Sequence, residues 1–304
     1  MRRALSLLFI ILNLLAFKNF AFAQPEVDAC KNFYDARDYK RAIEAGKRAV
    51  KKDPNNPDAH FCLGISYFRV GDLKIALKHL KRAESLTSNK GDLMDIYTQL
   101  GRIYHRMGYL DDALLYYSRS LSLARDIGDR RAQAGALNNI AGIYRDKGEL
   151  DKALGYYEES LRLQTDEKEK ATTYNNIAAI YSQKGNYKKA VEYLKKAIEI
   201  SERYGDYHKV SMGKLNLGEI YRKMKDYGKA EKYILEGLEG VKKFGDKFGE
   251  AYGYKYLGLL YKDKGDKKTA KDYLTRAYSL FKSIGAEGDA EEVLSDIQEL
   301  EKKR

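Results

Sequence analysis

Five amide side chains in this 304-residue chain return at regular intervals: Asn138 and Asn139, Asn175 and Asn176, and Asn216. Each offers a donor and an acceptor together. A row of them therefore matches the N–H and C=O groups of an extended backbone without demanding one sequence. Cations stand around the row: Arg102, His105, Arg106, Arg145, Arg222, Lys223, Lys255 and Lys262. Their chemistry suits acidic side chains or a terminal carboxylate. Each feature also has a plainer reading. The amides serve equally as solvated polar residues or as staples between adjacent helices, and a Lys/Arg-rich chain has cations on every face.

Catalytic chemistry has no foothold in the sequence. There is no glycine-rich phosphate loop, no HExxH, no GxSxG and no paired-cysteine metal site, so no enzyme activity, cofactor or metal is expected. His60, His79, His105 and His208 are scattered without ligand spacing and read as surface or groove residues. Export would permit a bond between the two cysteines, Cys30 and Cys62. The reading favoured from sequence is two small buried residues in neighbouring helices, because sequence alone does not set their separation.

The elements that position these residues are short helical hairpins. In Asn175–Ile200, Tyr174, Ile177, Ala178 and Tyr181 make one apolar helical stripe, Gly185 and Asn186 break it, and Ala190, Val191, Leu194, Ala197 and Ile198 make a second. The pattern is an apolar–small pair, an aromatic three residues on, a turn glycine and a small residue in the second helix. It occurs seven times, at Ala29-Cys30, Leu63-Gly64, Leu100-Gly101, Ile140-Ala141, Ile177-Ala178, Leu217-Gly218 and Leu257-Gly258. The second-helix residues are Ala42, Ala76, Ala113, Ala153, Ala190, Ala230 and Ala270. Small residues let the two backbones approach, and the aromatic fills the wedge beside them. Turn glycines stand at Gly71, Gly108, Gly148, Gly185 and Gly265, while Arg37 and Lys225 replace them at a local cost in strain. One hairpin cannot bury both stripes alone, so the copies must stack.

These small-residue, Tyr, Gly and Ala positions identify the chain as resembling the tetratricopeptide repeat family over 24–304. The resemblance implies an all-α, right-handed α-solenoid of about seven hairpins: 24–56, 57–93, 94–133, 134–170, 171–210, 211–250 and 251–285. A capping helix over 286–302 carries Ala290, Val293, Leu294, Ile297 and Leu300. The family's Trp is missing, and its site holds Tyr97, Leu137 and Tyr174. The small residue advances by 34, 37, 40, 37, 40 and 40 residues, which lengthens the helices by about one turn at a time. That is similar to the long-helix repeats of kinesin light chain and of the Leu-Gly-Asn family, which bind peptides along a groove. By that resemblance the asparagines face the concave groove and hold a peptide backbone. The family's carboxylate clamp is absent, since the pairs Asn138 with Gly142 and Met212 with Asn216 do not supply it.

The first 23 residues read as a secretory signal. Arg2 and Arg3 precede an apolar run from Ala4 to Phe17, and Ala21-Phe22-Ala23 sets cleavage after Ala23. Its removal lowers the formal charge from +12 to +9 by loss of Arg2, Arg3 and Lys18. The expected location is the periplasm or cell envelope, with membrane contact only if the segment stays uncleaved. The positive excess favours an acidic protein or extended peptide as partner, and an exported chain seldom meets nucleic acid. The expected function is a non-enzymatic interaction scaffold. Two alternatives are an envelope component that associates with membrane or cell-wall polymer through basic faces, and an extracellular sensor module.

Overall fold

The structure, a computed structural model, describes residues 24–302. The expected signal segment and its cleavage point lie outside the described residues. Fifteen helices and no strand occur among the described residues, and the chain divides into two compact units between Glu149 and Leu150. The first unit holds α1 (24–35), α2 (Tyr39–Lys52), α3 (Pro57–Arg69), α4 (Leu73–Leu86), α5 (Lys90–Arg106), α6 (Leu110–Asp126) and α7 (Arg130–Asp146). The second holds α8 (Leu150–Leu163), α9 (Glu167–Gln183), α10 (Tyr187–Arg203) and α11 (Tyr207–Lys223). It continues with α12 (Tyr227–Lys243), α13 (Lys247–Asp263), α14 (Lys267–Ser283) and α15 (Glu287–Lys302).

Helix lengths account for the uneven repeat spacing. The first helix of a hairpin grows from 13 residues in α3 to 17 in α5 and stays there. The second helix is 14 residues in α2, α4 and α8 but 17 in α6, α10, α12 and α14. Every long second helix ends on a positive-φ glycine, Gly128, Gly205, Gly245 or Gly285. The short ones have no glycine there, as Asp53 and Thr87 show at the ends of α2 and α4.

Turns inside the hairpins follow local chemistry. Arg37 (φ 61°) and Lys225 (φ 62°) do take the left-handed conformation that glycine holds elsewhere. The next residue caps the following helix: Asp38, Asp72, Asn186, Asp226 and Asp266 each accept a backbone N–H three residues on.

Small residues do bring the helices together: a Cβ on Gly218 would stand 3.0 Å from the Ala230 carbonyl oxygen. The glycine of the first helix lies under the side chain four residues beyond the second-helix Ala. A Cβ on Gly101 would stand 2.6 Å from the Tyr117 ring, and one on Gly258 2.6 Å from Leu274 Cγ. A further regularity uses the tyrosines. The first-helix aromatic stacks on the ring twelve residues later: Tyr104 on Tyr116 at 5.4 Å, Tyr181 on Tyr193 at 5.5 Å, Tyr221 on Tyr233 at 5.5 Å. Tyr97, Tyr174 and Tyr254 add a third ring to their hairpins. These offset rings contribute about 0.5–1.5 kcal/mol each beyond burial.

Cys30 and Cys62 form a disulfide with Cα atoms 6.3 Å apart, which overturns the unbonded reading. Both are fully buried, as expected, but α1 and α3 hold them close enough to bond. At the other end α15 buries Ala290 and Val293 against Phe281, while Leu294 turns outward.

Candidate functional site

The first helix of each hairpin (α1, α3, α5, α7, α9, α11, α13) packs one stripe into the core and leaves another less buried. In the second unit two cavities lie along the less buried stripe of α9 and α11. A cavity of about 220 Å³ is lined by Asn175, Ser182 and Gln183 of α9, by Asn216, Glu219 and Lys223 of α11, and by Tyr256 of α13. A second, of about 210 Å³, lies among Ala171, Thr172, Ile198, Met212 and Gly213, with Asn175 and Asn216 again in its wall. The two amides thus separate a polar cavity from a more apolar one. Gly213 opens the latter, because a Cβ there would stand 2.7 Å from Ile198.

Asn216 Nδ2 donates to Asn175 Oδ1 at 3.2 Å, so these two act on each other as a staple. Asn176 is half-buried on the same helix. In the first unit Asn138 Nδ2 donates to Ala134 O at 3.4 Å and Asn139 is half-buried beside it. The structure therefore brings Asn175 and Asn216 together and leaves Asn138 turned back along its own helix.

The cations are less available than their number suggests. His105 Nε2 meets Asp146 at 2.6 Å and Arg145 reaches the same carboxylate at 3.0 Å. Burial works to raise the Asp146 carboxyl, but these two neighbours hold it below the usual range. Arg102 and Arg106 stand over the Phe68 ring at 5.3 and 5.7 Å. Arg222 pairs with Glu219 at 2.7 Å and with Asp263, and Lys223 is 3.7 Å from Glu219. Lys255, only 5% exposed, pairs with Glu292 of α15 at 2.8 Å, and Lys262 reaches Asp296 and Glu299. Tyr252 O–H donates to Asp289 of the same helix at 2.5 Å. The closing helix thus takes the place a further partner would have on α13.

Sequence reading missed an acidic stretch in the first unit. Asp58, Asp92 and Asp95 line a cavity of about 220 Å³ with Phe61, Ile96 and Lys31, and Lys31 is 3.6 Å from Asp58. Burial, and then the charges of Asp92 and Asp129, hold the Asp95 carboxyl above the usual range. Asp58 and Asp95 share one position of the repeat, the signal that would have found them.

Stacked hairpins of this geometry define a helical-repeat protein whose fold class is that of an α-solenoid. The tetratricopeptide repeat profile matches residues 57–126, 92–166, 132–203, 169–212 and 209–283, and a related TPR repeat profile matches 31–71. The chain belongs to the tetratricopeptide repeat family. Its fold is similar to that of the apo form of RapI, with TM-score 0.63 and 21% identity over 80% of this chain and 97% of that one. It is also similar to BtubC from P. vanneervenii, with TM-score 0.57 and 23% identity over 71% and 92%. A third similar structure is the Rap conjugation gene regulator of plasmid pLS20 in complex with the Phr* peptide, with TM-score 0.64 and 18% identity over 87% and 75%. No curated protein matches the sequence significantly.

Proposed function

We propose that this chain is a non-enzymatic protein-interaction scaffold that holds an extended peptide on the inner stripe of α9 and α11. As a tetratricopeptide repeat chain it is of the interaction-scaffold class; the peptide and its seat are the finer reading. The observation that carries it is the pair of cavities on either side of the Asn175–Asn216 hydrogen bond. Successive side chains of an extended peptide point to opposite sides. One cavity then takes a polar side chain beside Lys223 and Glu219, the other an apolar one beside Met212 and Ile198. Beyond that bond Asn216 keeps its oxygen and its second N–H, and Asn175 its NH2 group, to meet the backbone between them. The pLS20 regulator, a protein of similar fold, was solved with a peptide bound.

A strongly acidic partner loses support here, because the cations of α11 and α13 already face carboxylates. Residues 1–23 are proposed to direct export to the periplasm or cell envelope, where an oxidising environment would maintain the Cys30–Cys62 bond. The test is to screen a displayed peptide library against the purified chain and against Asn175→Ala/Asn216→Ala. Selected peptides should bind the parent and lose at least about tenfold in affinity for the variant. Equal affinity for both would place the seat elsewhere. Mass spectrometry of exported chain should find Gln24 at the amino end.

A further inference from the structure

The second helices of the first two hairpins carry charge that no carboxylate balances. α2 holds Lys40, Arg41, Lys47, Arg48, Lys51 and Lys52 against one acid, Glu44. α4 holds Lys74, Lys78, Lys81, Arg82 and His79 against one acid, Glu84. Arg41 pairs with Asp38, Arg48 and Lys52 share Glu26, and Lys81 pairs with Glu84. Among the described residues, Lys40, Lys47, Lys51, Lys74, Lys78 and Arg82 have no carboxylate at ion-pair distance. At these spacings they fall on two helical stripes, 40, 47 and 51 on α2 and 74, 78 and 82 on α4.

A cleft of about 570 Å³ opens beside the α4 stripe, at the end of α2. Val50 and Pro54 give it an apolar wall at the end of α2, and Lys78, Lys81 and Arg82 line it from α4. Its depth is set by His60, which is 6% exposed. His60 Nε2–H donates to Pro54 O at 3.1 Å, which leaves its Nδ1 bare to accept the Nδ1–H of His79 at 2.9 Å. The neutral His79 ring therefore keeps a bare Nε2. His79 stacks on Tyr67 at 6.2 Å, and the Lys47 ammonium stands 5.8 Å over that same ring. The stripe on α2 thus reaches the cleft that the stripe on α4 lines. Arg82 is already braced, donating to Asn55 Oδ1 at 2.6 Å.

We propose that this cleft binds phosphate groups carried on a linear polyanionic chain, with Lys78 and Arg82 as the main contacts and Lys47 and Lys51 extending the track. Unpaired cations beside an apolar wall attract an anion more strongly than the same charges in open water. A cleft floored by the buried His60 suits a flexible chain that can enter it, whereas a bilayer would meet only its rim. The acids of this stretch, Glu44 on α2, Asp53 after it and Glu84 on α4, are outnumbered by the unpaired cations. This site belongs to the first unit and is independent of the peptide seat in the second.

The experiment is fluorescence anisotropy of labelled inorganic polyphosphate with the full chain, across a salt series and beside phosphatidylglycerol vesicles. Binding should weaken with salt at a log–log slope of roughly −3 to −5. Lys78→Glu/Arg82→Glu should bind on the order of thirtyfold more weakly and with a shallower slope. Its helical circular dichroism and melting should match the parent, and Asn175→Ala/Asn216→Ala should bind polyphosphate normally. Absence of binding, or unchanged binding by the charge-reversed variant, overturns the site. Vesicle binding that survives while polyphosphate fails to compete overturns the ligand class in favour of a bilayer.

Discussion

Asn216 Nδ2 donates to Asn175 Oδ1, and the repeat position that makes this bond in α11 holds Cys62 in α3. In both cases the residue reaches back to the first helix of the preceding hairpin. The seam between successive first helices is therefore tied by a hydrogen bond in the second unit and by a covalent bond in the first. An inner-face amide is at once a tie and a wall of the cavities beside it.

Removing one member of the tie should show both roles. Asn216→Ala leaves the half-buried Asn175 oxygen without its donor and should cost about 1 kcal/mol. A urea titration reads that loss, and peptide capture by the same variant should fall in parallel. An unchanged urea midpoint would mean that water replaces the bond without penalty.

Cys30→Ser opens a cross-link between residues 32 apart in sequence. Loop-closure entropy puts the loss at roughly 3–4 kcal/mol, confined to the first hairpins because each repeat leans only on its neighbours. Limited proteolysis should cut first within α1 and α2, and dithiothreitol should reproduce the pattern in the parent chain.

Two glycine substitutions should act in opposite directions. Gly101→Ala places a methyl 2.6 Å from the buried Tyr117 ring and should cost about 2–3 kcal/mol. Gly155→Ala meets nothing within 4 Å in α8 and should gain about 0.5–1 kcal/mol from helix propensity. Thermal melting of the pair separates a steric requirement from an ordinary helix glycine.

Lys225 holds φ 62° where every other hairpin but the first, with Arg37, places glycine. Lys225→Gly should relieve about 0.5–1 kcal/mol of backbone strain, part of it offset by the freer unfolded chain. Calorimetry of the full chain should register a higher Tm for the second unit.

Acid should loosen the first unit through His79. Burial, then His60 and Lys78, hold this imidazole down at about 4, against an ordinary 6.5. The folded state prefers the neutral ring, so the unfolded chain takes up the proton first. The stabilisation is complete above about pH 6.5 and is lost as pH falls toward 4, by on the order of 1–2 kcal/mol for a half-buried group. His79→Phe keeps the stack and should flatten the dependence of Tm on pH in that window.

The hairpins were legible because each one repeats a local chemical requirement. A small residue, a positive φ and an N-cap recur within about twenty residues, and seven registers agree. What lay further apart was not legible. Arg222 and Asp263 are 41 residues apart, Lys255 and Glu292 are 37, and nothing in either neighbourhood announces the pairing. The inner face therefore read as basic when its cations are largely matched. The stacked tyrosines could have been found, since the twelve-residue interval is as regular as the alanines. The cysteine bond could not, because it depends on how closely α1 and α3 approach.

The chain has 26 tyrosines and no tryptophan, and the rings of successive hairpins are stacked in pairs or threes. A single indole introduced at Tyr116 or at Tyr233 would sit against a neighbouring phenol in one chosen hairpin and be the sole emitter at long wavelength. The molecule is thereby ready-made for optical dissection, in which each copy of the motif can be watched melting by itself under an unchanged background.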